Sequence, residues 1–157
     1  IITVPQKVIL SPDGIDRNVA FPLKENDTNK VSTSLLRLFS QAELNKILDS
    51  NDIEVDLSGG QEQRLLLSRL FYHRPSLTII DEGTSALDKK NELKFYEAFS
   101  ELKNSNKDKT SIIIAHRPRA LDYCDEVIHL DAGKLSFFGT VDEYKKSPYY
   151  KGLFQII

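Results

Sequence analysis

The sequence predicts an α/β fold in which a mostly parallel sheet is flanked by helices and joined to a helical subdomain. Three short apolar runs in the second half are typical of buried strands, and they cover residues 77–80, 111–115 and 127–130. Amphipathic helical patterns separate these runs, and this alternation indicates parallel strands with helical crossovers. Residues 11–73 carry helical spacing instead, which predicts the helical subdomain.

Composition sets further bounds. The chain has 157 residues, of which 40% are hydrophobic and 28% charged, as is usual for a soluble globular domain. A net charge of -2 gives no reason to expect nucleic acid, because domains that bind it tend to be basic. No apolar run approaches the roughly 20 residues that cross a bilayer. The single cysteine, Cys124, cannot form an internal disulfide, which fits a reducing cytosolic setting. The sequence starts at Ile1 and contains no methionine, so we interpret it as a piece of something longer.

The first half is expected to begin with a strand and continue with helices. Residues 1–4 end at Pro5, so a strand should stop there with Gln6 at its exit. Frequent turn residues between 11 and 28 leave room for one helical turn at 15–19. Two helices should follow. The first is indicated by the apolar spacing of Val31, Leu35, Leu38 and Phe39. The second is indicated by a capping box that Ser40 forms with Glu43.

The second half is expected to continue the alternation and end in a hairpin and two helices. The predicted elements are a helix from about residue 89, a short helix near Pro118, a turn at 131–134, a returning strand at 135–138, a capping box of Thr140 and Glu143, and a last helix over 149–157.

A Ser-Gly-Gly-Gln sequence stands directly before a strongly helical run at 62–72. Adjacent Gly59 and Gly60 at a helix start expose N–H groups without Cβ obstruction, the helix dipole adds positive potential, and Ser58 adds a hydroxyl donor. This arrangement can bind an anion. An ordinary N-cap serine followed by a glycine pair is an equally valid interpretation of the local pattern.

Two adjacent carboxylates follow the buried run at 77–80. Ligands of open α/β sheets bind at the carboxyl ends of strands, so Asp81 is placed to hold Mg²⁺ and Glu82 to polarise an attacking water. A strand that simply runs into a solvated acidic loop would show the same two residues. Their meaning therefore depends on the neighbouring motifs.

Those motifs make a recognisable set. If the strands are parallel neighbours, Gln6 and His116 should lie on the same rim of the sheet as the two acids. In this order the chain resembles, over essentially its whole length, the nucleotide-binding domain of exporter-type ABC transporters. The corresponding parts are Gln6 in the Q-loop, 57–61 as the signature sequence, 79–82 as the Walker B end, 85–88 as the D-loop and His116 as the H-loop switch.

The resemblance implies a partial P-loop NTPase fold, a head-to-tail dimer with a second nucleotide-binding domain, and ATP and Mg²⁺ as ligands. Ser58 and Gly60 would contact the γ-phosphate bound by the partner, and Gly59 and Gln61 would also belong to the nucleotide site. Asp88 would communicate across the interface.

On the hydrolytic side, the resemblance implies that Asp81 and Gln6 serve Mg²⁺ and that Glu82 is the general base. His116 would hold the γ-phosphate and the attacking water, and Gln6 would link the metal site to a transmembrane permease domain at the cytoplasmic face of the membrane. The segments implied are a Q-loop strand and loop at 1–10, a helical subdomain at 11–73 and an α/β core at 74–157.

The sequence also departs from the family pattern. Gly83 replaces the usual Ala or Pro and is expected to add backbone freedom beside the base, and Glu62 follows the signature where a basic or amide residue is more usual. The stretch 49–56 is shorter than in exporters. No glycine begins a G-x-x-x-x-G-K-[ST] loop, so these residues alone are expected to be inactive.

Two other functions remain open at this point. A soluble ABC ATPase of the DNA-repair or translation kind normally carries an inserted coiled coil or a second cassette, and neither is visible. An ATPase-inactive module that docks onto an intact partner would have no chemical need of Glu82 or His116.

Overall fold

The computed structural model describes residues 1–23, 25, 27–48, 57–105 and 108–154. They form two compact units, Ile1–Ile114 and Ala115–Ile157. The division into segments 1–10, 11–73 and 74–157 refers to functional parts and stays a prediction, as does the interpretation of 49–56, which lies outside the described residues.

The first unit holds a small parallel sheet and five helices among its described residues. Its elements are β1 (Ile2–Val4), α1 (Ile15–Ala20), α2 (Thr28–Leu36), α3 (Gln41–Leu48), α4 (Gly59–His73), β2 (Leu77–Asp81), α5 (Lys89–Asn104) and β3 (Thr110–Ile114).

The sheet has the order β1-β2-β3, and both pairs of strands are parallel. Val4 is paired with Ile80, and Asp81 is paired with Ile114, so all three strands end at one edge. The helix α5 connects β2 to β3, as a parallel pair requires. The predicted α/β architecture is therefore confirmed.

The core of this unit centres on α4, which is buried on most of its sides. Leu65, Leu66, Leu67 and Leu70 each expose 2% or less of their surface. A helix buried on most sides is typical of a domain centre. On α5 the buried apolar face is formed by Phe95, Tyr96, Ala98 and Phe99.

The second unit contains a β-hairpin packed against helices. Its elements are a 3₁₀ helix (Pro118–Tyr123), β4 (Glu126–Asp131), β5 (Lys134–Thr140), α6 (Val141–Lys146) and α7 (Pro148–Phe154). The hairpin at β5 is confirmed.

Within the described residues β4 pairs antiparallel with β5 alone, so the expectation that it continues the parallel series is wrong. The reason is local. Ala132 and Gly133 both have positive φ, 46° and 75°, and a two-residue loop of this type matches the twist of a hairpin. Of the helices that can be described, none is both long and apolar enough to cross a membrane.

Both predicted capping boxes are present. The Ser40 N–H donates to Oε2 of Glu43 at 2.7 Å, and the Glu43 N–H donates back to the Ser40 hydroxyl at 3.2 Å. Thr140 and Glu143 repeat this pattern at the start of α6. Each box satisfies N–H groups that a helix start leaves without an intrahelical partner.

Candidate functional site

The site is built at the edge where β1 and β2 end. Gln6 follows β1, and its amide Nε2 donates to the Glu82 carboxylate Oε2 at 2.7 Å. Asp81 is the last residue of β2, directly before Glu82. The structure thus brings together three of the predicted site residues, which are 76 positions apart along the chain at their extremes.

The backbone of Glu82 is held in an unusual conformation. Its φ is 48°, in the left-handed region that non-glycine residues seldom adopt. Its N–H donates to the Ile114 carbonyl of β3 at 2.9 Å, which fixes it against the neighbouring strand. Such backbone strain persists only where the surroundings over-determine it, and it concentrates at functional sites.

The next residue, Gly83, is tightly packed. A Cβ at this position would lie 2.7 Å from Cγ2 of Ile80 and 3.0 Å from Cγ1 of Val4, both on buried side chains. Here the glycine permits a close approach to the sheet, so the expected extra backbone freedom is not what this position provides. The turn after Glu82 is instead held firmly beside β1 and β2.

The start of α4 carries the Ser-Gly-Gly-Gln sequence. Ser58 is the N-cap, its hydroxyl accepts from the Gln61 N–H at 3.4 Å, and the Gln61 Oε1 accepts from the Ser58 N–H at 2.8 Å. The N-cap interpretation of Ser58 is thus correct. It does not exclude anion binding, because Gly59 and Gly60 occupy the first two helical positions, whose N–H groups have no acceptor within the helix.

Asp88 opens the next helix in a similar way. Its Oδ1 accepts from the Asn91 N–H at 2.8 Å and its Oδ2 from the Asn91 amide at 2.9 Å. These hydrogen bonds, the backbone one foremost, hold the pKa of Asp88 below its usual range. Asp88 is therefore an exposed anion whose two oxygens both serve its own helix.

The comparison with known proteins identifies the family. The family profile described as "ABC transporter" matches residues 1–85, more than half of the chain. The chain belongs to the ABC transporter family.

Several curated ABC proteins are similar to it. A putative multidrug export ATP-binding/permease protein, YgaD of Bacillus subtilis, is 40% identical over 103 residues, which is 65% of this chain and 17% of that protein. A multidrug efflux ATP-binding/permease protein of Mycobacterium bovis is 31% identical over 156 residues, 96% of this chain and 13% of that protein. An ATP-dependent lipid A-core flippase of Alkalilimnicola ehrlichii is 32% identical over 143 residues, 87% of this chain and 24% of that protein. The chain thus spans a quarter or less of the length of these relatives.

The fold is also found in a solved ABC protein. A bacterial Atm1-family ABC exporter with ATP bound superposes with a TM-score of 0.76 at 24% identity, over 95% of this chain and 27% of that one. This likeness confirms the predicted partial ABC ATPase fold.

His116 lies two residues beyond the end of β3 and belongs to the second unit of this ABC chain. Its expected position on the same rim as Glu82 stays a prediction. The cross-interface role of Asp88 and the nucleotide contacts of Ser58, Gly59, Gly60 and Gln61 likewise stay predictions.

The rim carries oxygen atoms of the kind that bind Mg²⁺, and the role of Asp81 and Gln6 as metal ligands stays a prediction. In the part of the chain that the structure describes, no three His, Cys, Asp or Glu side chains gather as a ready-made metal cage. Mg²⁺ in phosphoryl-transfer sites is held by one or two carboxylates, with substrate oxygens and water as the other ligands. Asp81 supplies such a carboxylate. The bond to Glu82 uses the amide nitrogen of Gln6, so its amide oxygen is the atom suited to a hard cation.

Sequence reasoning missed a residue that joins α4 to the loop that follows β2. Gln63 on α4 is 1% exposed and hydrogen-bonds to the turn after Glu82. The available signal was its spacing, because Gln63, Leu67 and Leu70 fall on one face of the helix. A polar residue within such a buried stripe must have hydrogen-bond partners.

Proposed function

We propose that this chain is the ATP-binding and ATP-hydrolysing component of an exporter, in which hydrolysis drives substrate translocation. The proposal is supported by the family membership and by relatives named as export or efflux ATP-binding/permease proteins. The observation that carries the hydrolytic part is the 2.7 Å hydrogen bond between Gln6 and Glu82, beside Asp81 at the end of a parallel sheet.

Glu82 is proposed as the general base that takes a proton from the attacking water. The Gln6 amide donates to Oε2 of this carboxylate and so orients the group as a base. Asp81, with the Gln6 amide oxygen, would hold Mg²⁺. When bound, this ion neutralises charge that develops on the phosphate oxygens. His116 would donate to the γ-phosphate and orient the water.

The start of α4 is proposed to bind the γ-phosphate of ATP held by a second nucleotide-binding domain. The Ser58 hydroxyl and the N–H groups of Gly59 and Gly60 are exposed or partly exposed donors at the positive end of a 15-residue helix. Because these donors would serve the partner's nucleotide, two copies would pair head to tail. Gln61 would support the turn through its capping box, and Asp88 would lie toward the partner.

The other partner is proposed to be a transmembrane permease domain, with this chain at the cytoplasmic face of the membrane. The relatives' names join an ATP-binding part to a permease in one protein. The substrate would contact the permease, so the residues of this chain carry no information about its identity.

The 157 residues alone are proposed to bind ATP weakly and to be inactive. None of their seven glycines begins a phosphate loop of the G-x-x-x-x-G-K-[ST] type, which supplies backbone donors and a lysine to the phosphates. A triphosphate held by Mg²⁺ and Asp81 would lack these charge-assisted hydrogen bonds.

The experiment that tests the proposed base is Glu82→Gln in the transporter proposed to contain this chain. The amide keeps the size and polarity of the side chain but cannot take a proton, so ATP turnover should fall by about 10²–10⁴-fold while ATP binding is kept. Glu97→Gln, the same change on the exposed face of α5, is the matched control and should leave turnover unchanged. Glu82→Gln turnover close to that of the control would mean that Glu82 is not the base.

A further inference from the structure

Gln63 connects the first turns of α4 to the loop that carries the acids. Its Oε1 accepts from the Ala86 N–H at 2.8 Å, and its Nε2 lies 3.3 Å from the Ser85 hydroxyl and 3.4 Å from the Glu82 carbonyl. The orientation of the amide is fixed by chemistry, because a backbone N–H can only donate and therefore faces the oxygen. One buried side chain thus contacts three residues of the loop 82–88.

A second contact joins the same two elements at the level of the backbone. A Cβ on Gly60 would lie 3.2 Å from the Ala86 carbonyl oxygen. That distance is shorter than an ordinary carbon–oxygen contact, so the helix start and the loop approach each other as closely as a residue with no side chain allows. The turn that carries Ser58 and the turn that carries Asp88 are therefore in direct contact.

The loop is confined on its other side as well. Gly83 packs against Ile80 and Val4, and the Glu82 N–H is bonded to the Ile114 carbonyl of β3. The amide of Gln63 therefore joins α4 to a loop that the sheet holds on its other side.

From these contacts we infer that Gln63 is a positioning residue for ATP hydrolysis, because it holds the Glu82 loop on the start of α4. When the start of α4 contacts one nucleotide, this link adjusts the position of the base that acts on the other nucleotide. This inference rests on the proposed function, in which Ser58 faces the partner's ATP and Glu82 acts at the chain's own site. The link would then couple two ATP sites through a single subunit.

The first variant is Gln63→Leu in the transporter proposed to contain this chain. Leucine fills much of the same space but removes the side-chain acceptor of the part-buried hydrogen bond from the Ala86 N–H, so the loop should shift on α4. Displacement of the base should lower kcat by about 5- to 100-fold, because a misplacement of about 1 Å can cost roughly 10²-fold. The KM for ATP should change by less than about twofold, because the lost interaction acts on the base and not on nucleotide binding. Gln41→Leu on the exposed start of α3 is the matched control and should leave both values unchanged.

The second variant, Gln63→Glu, separates positioning from general packing. A protonated carboxyl can accept from Ala86 and donate to Glu82 as the amide does, whereas a carboxylate would place negative charge beside the Glu82 carbonyl. Burial raises the pKa of such a carboxyl, so the ratio of its kcat to that of the parent should rise as the pH is lowered from about 8 to about 6. A role in packing alone would change the stability of the fold with pH, as urea unfolding would show, and would leave kcat per folded molecule unchanged.

Transmission from the α4 start is tested by combining Gln63→Leu with Ser58→Ala. If both act along one path, the combined loss of kcat should be smaller than the product of the single losses by at least about threefold. A combined loss equal to the product of the single losses would overturn the inference. A Gln63→Leu variant whose kcat is within about twofold of the parent, or whose effect is confined to KM, would also overturn it. So would a kcat of Gln63→Glu, relative to the parent, that does not change with pH.

These results are distinguishable from failure of the proposed function. If the parent hydrolyses ATP and Glu82→Gln abolishes turnover, the proposed function stands and the Gln63 variants decide the inference alone. If the parent does not hydrolyse ATP, or if Glu82→Gln has no effect, the proposed function and this inference are both overturned.

Discussion

Replacing Arg64 by methionine should destabilise the folded chain by about 1.5–3 kcal/mol. The Arg64 side chain is 7% exposed, and its Nη1 donates to Glu43 Oε1 at 2.9 Å and to the Leu38 carbonyl at 3.2 Å. The guanidinium also lies over the Phe39 ring, 4.3 Å from its centroid. Arg64 thereby joins α4 to α3 and to the residues before it.

The magnitude follows from these contacts taken one at a time. The charge-assisted bond to the buried Leu38 carbonyl is worth about 1.5–3 kcal/mol. The Glu43 side chain is 39% exposed. After discounting for that exposure, the ion pair adds only about 0.5–1 kcal/mol. Methionine keeps the length of the side chain and part of the contact with Phe39, and it removes the desolvation penalty of a buried cation whose Nε has no partner among the described residues. These gains offset roughly the contribution of the ion pair.

The measurement is urea unfolding of the parent, Arg64→Met, Glu43→Gln and the double variant at neutral pH. The cycle should give a coupling free energy of about 1 kcal/mol between Arg64 and Glu43. Arg37→Met is the matched control, because Arg37 pairs with Glu101 at 2.8 Å but both side chains are largely exposed, at 46% and 70%. The control should lose no more than about 0.5 kcal/mol. An Arg64→Met variant as stable as its control would refute the reasoning, since it would mean that the buried cation gives no net stability.

Two further predictions concern acid and ATP. Partial burial opposes ionisation of Glu43, but hydrogen bonds from the Ser40 N–H and hydroxyl and from Arg64 outweigh it and lower the pKa of Glu43 from 4.5 to about 2. A depressed pKa stabilises the fold above pH 4.5, and this stability is lost as the pH falls from 4.5 toward 2. In urea unfolding the parent should therefore lose about 1–2 kcal/mol more than Glu43→Gln over that range, after discounting for solvent exposure; equal losses would contradict the assignment. Calorimetric titration of the 157 residues with ATP·Mg²⁺ should give a dissociation constant near or above about 1 mM, because several charge-assisted bonds to phosphate are missing. A low-micromolar constant with one site per chain would contradict that expectation.

Structural features that depend on residues close together along the chain, or on the edge of a parallel sheet, could be predicted from the sequence. The capping boxes of Ser40 and Thr140 involve residues three apart, so their spacing alone was sufficient. The juxtaposition of Gln6 with Glu82 could be inferred because parallel strands end at one edge of a sheet. The family motifs supplied the order of the remaining site residues.

The interactions that were missed join residues distant along the chain through side chains. Gln63 reaches Ala86, and Arg64 reaches Glu43, only because helices pack in a particular orientation, which periodicity does not specify. The close packing of Gly83 is likewise a property of the tertiary structure. The pairing of β4 was misjudged because an apolar run does not distinguish a parallel strand from one arm of a hairpin, and here the positive φ of Ala132 and Gly133 decides it.

The most direct test of the proposed site measures ATP turnover by two mixed dimers of the transporter. In one, a single copy carries both Ser58→Arg and Glu82→Gln and the other copy is unchanged; in the second dimer, each copy carries one of the two substitutions. Head-to-tail pairing places Ser58 of one copy at the site served by Glu82 of the other. The first dimer should therefore have both sites damaged and the lower turnover, whereas the second keeps one intact site and should hydrolyse ATP faster. The opposite order would contradict the proposal that ATP is hydrolysed between Ser58 of one copy and Glu82 of its partner.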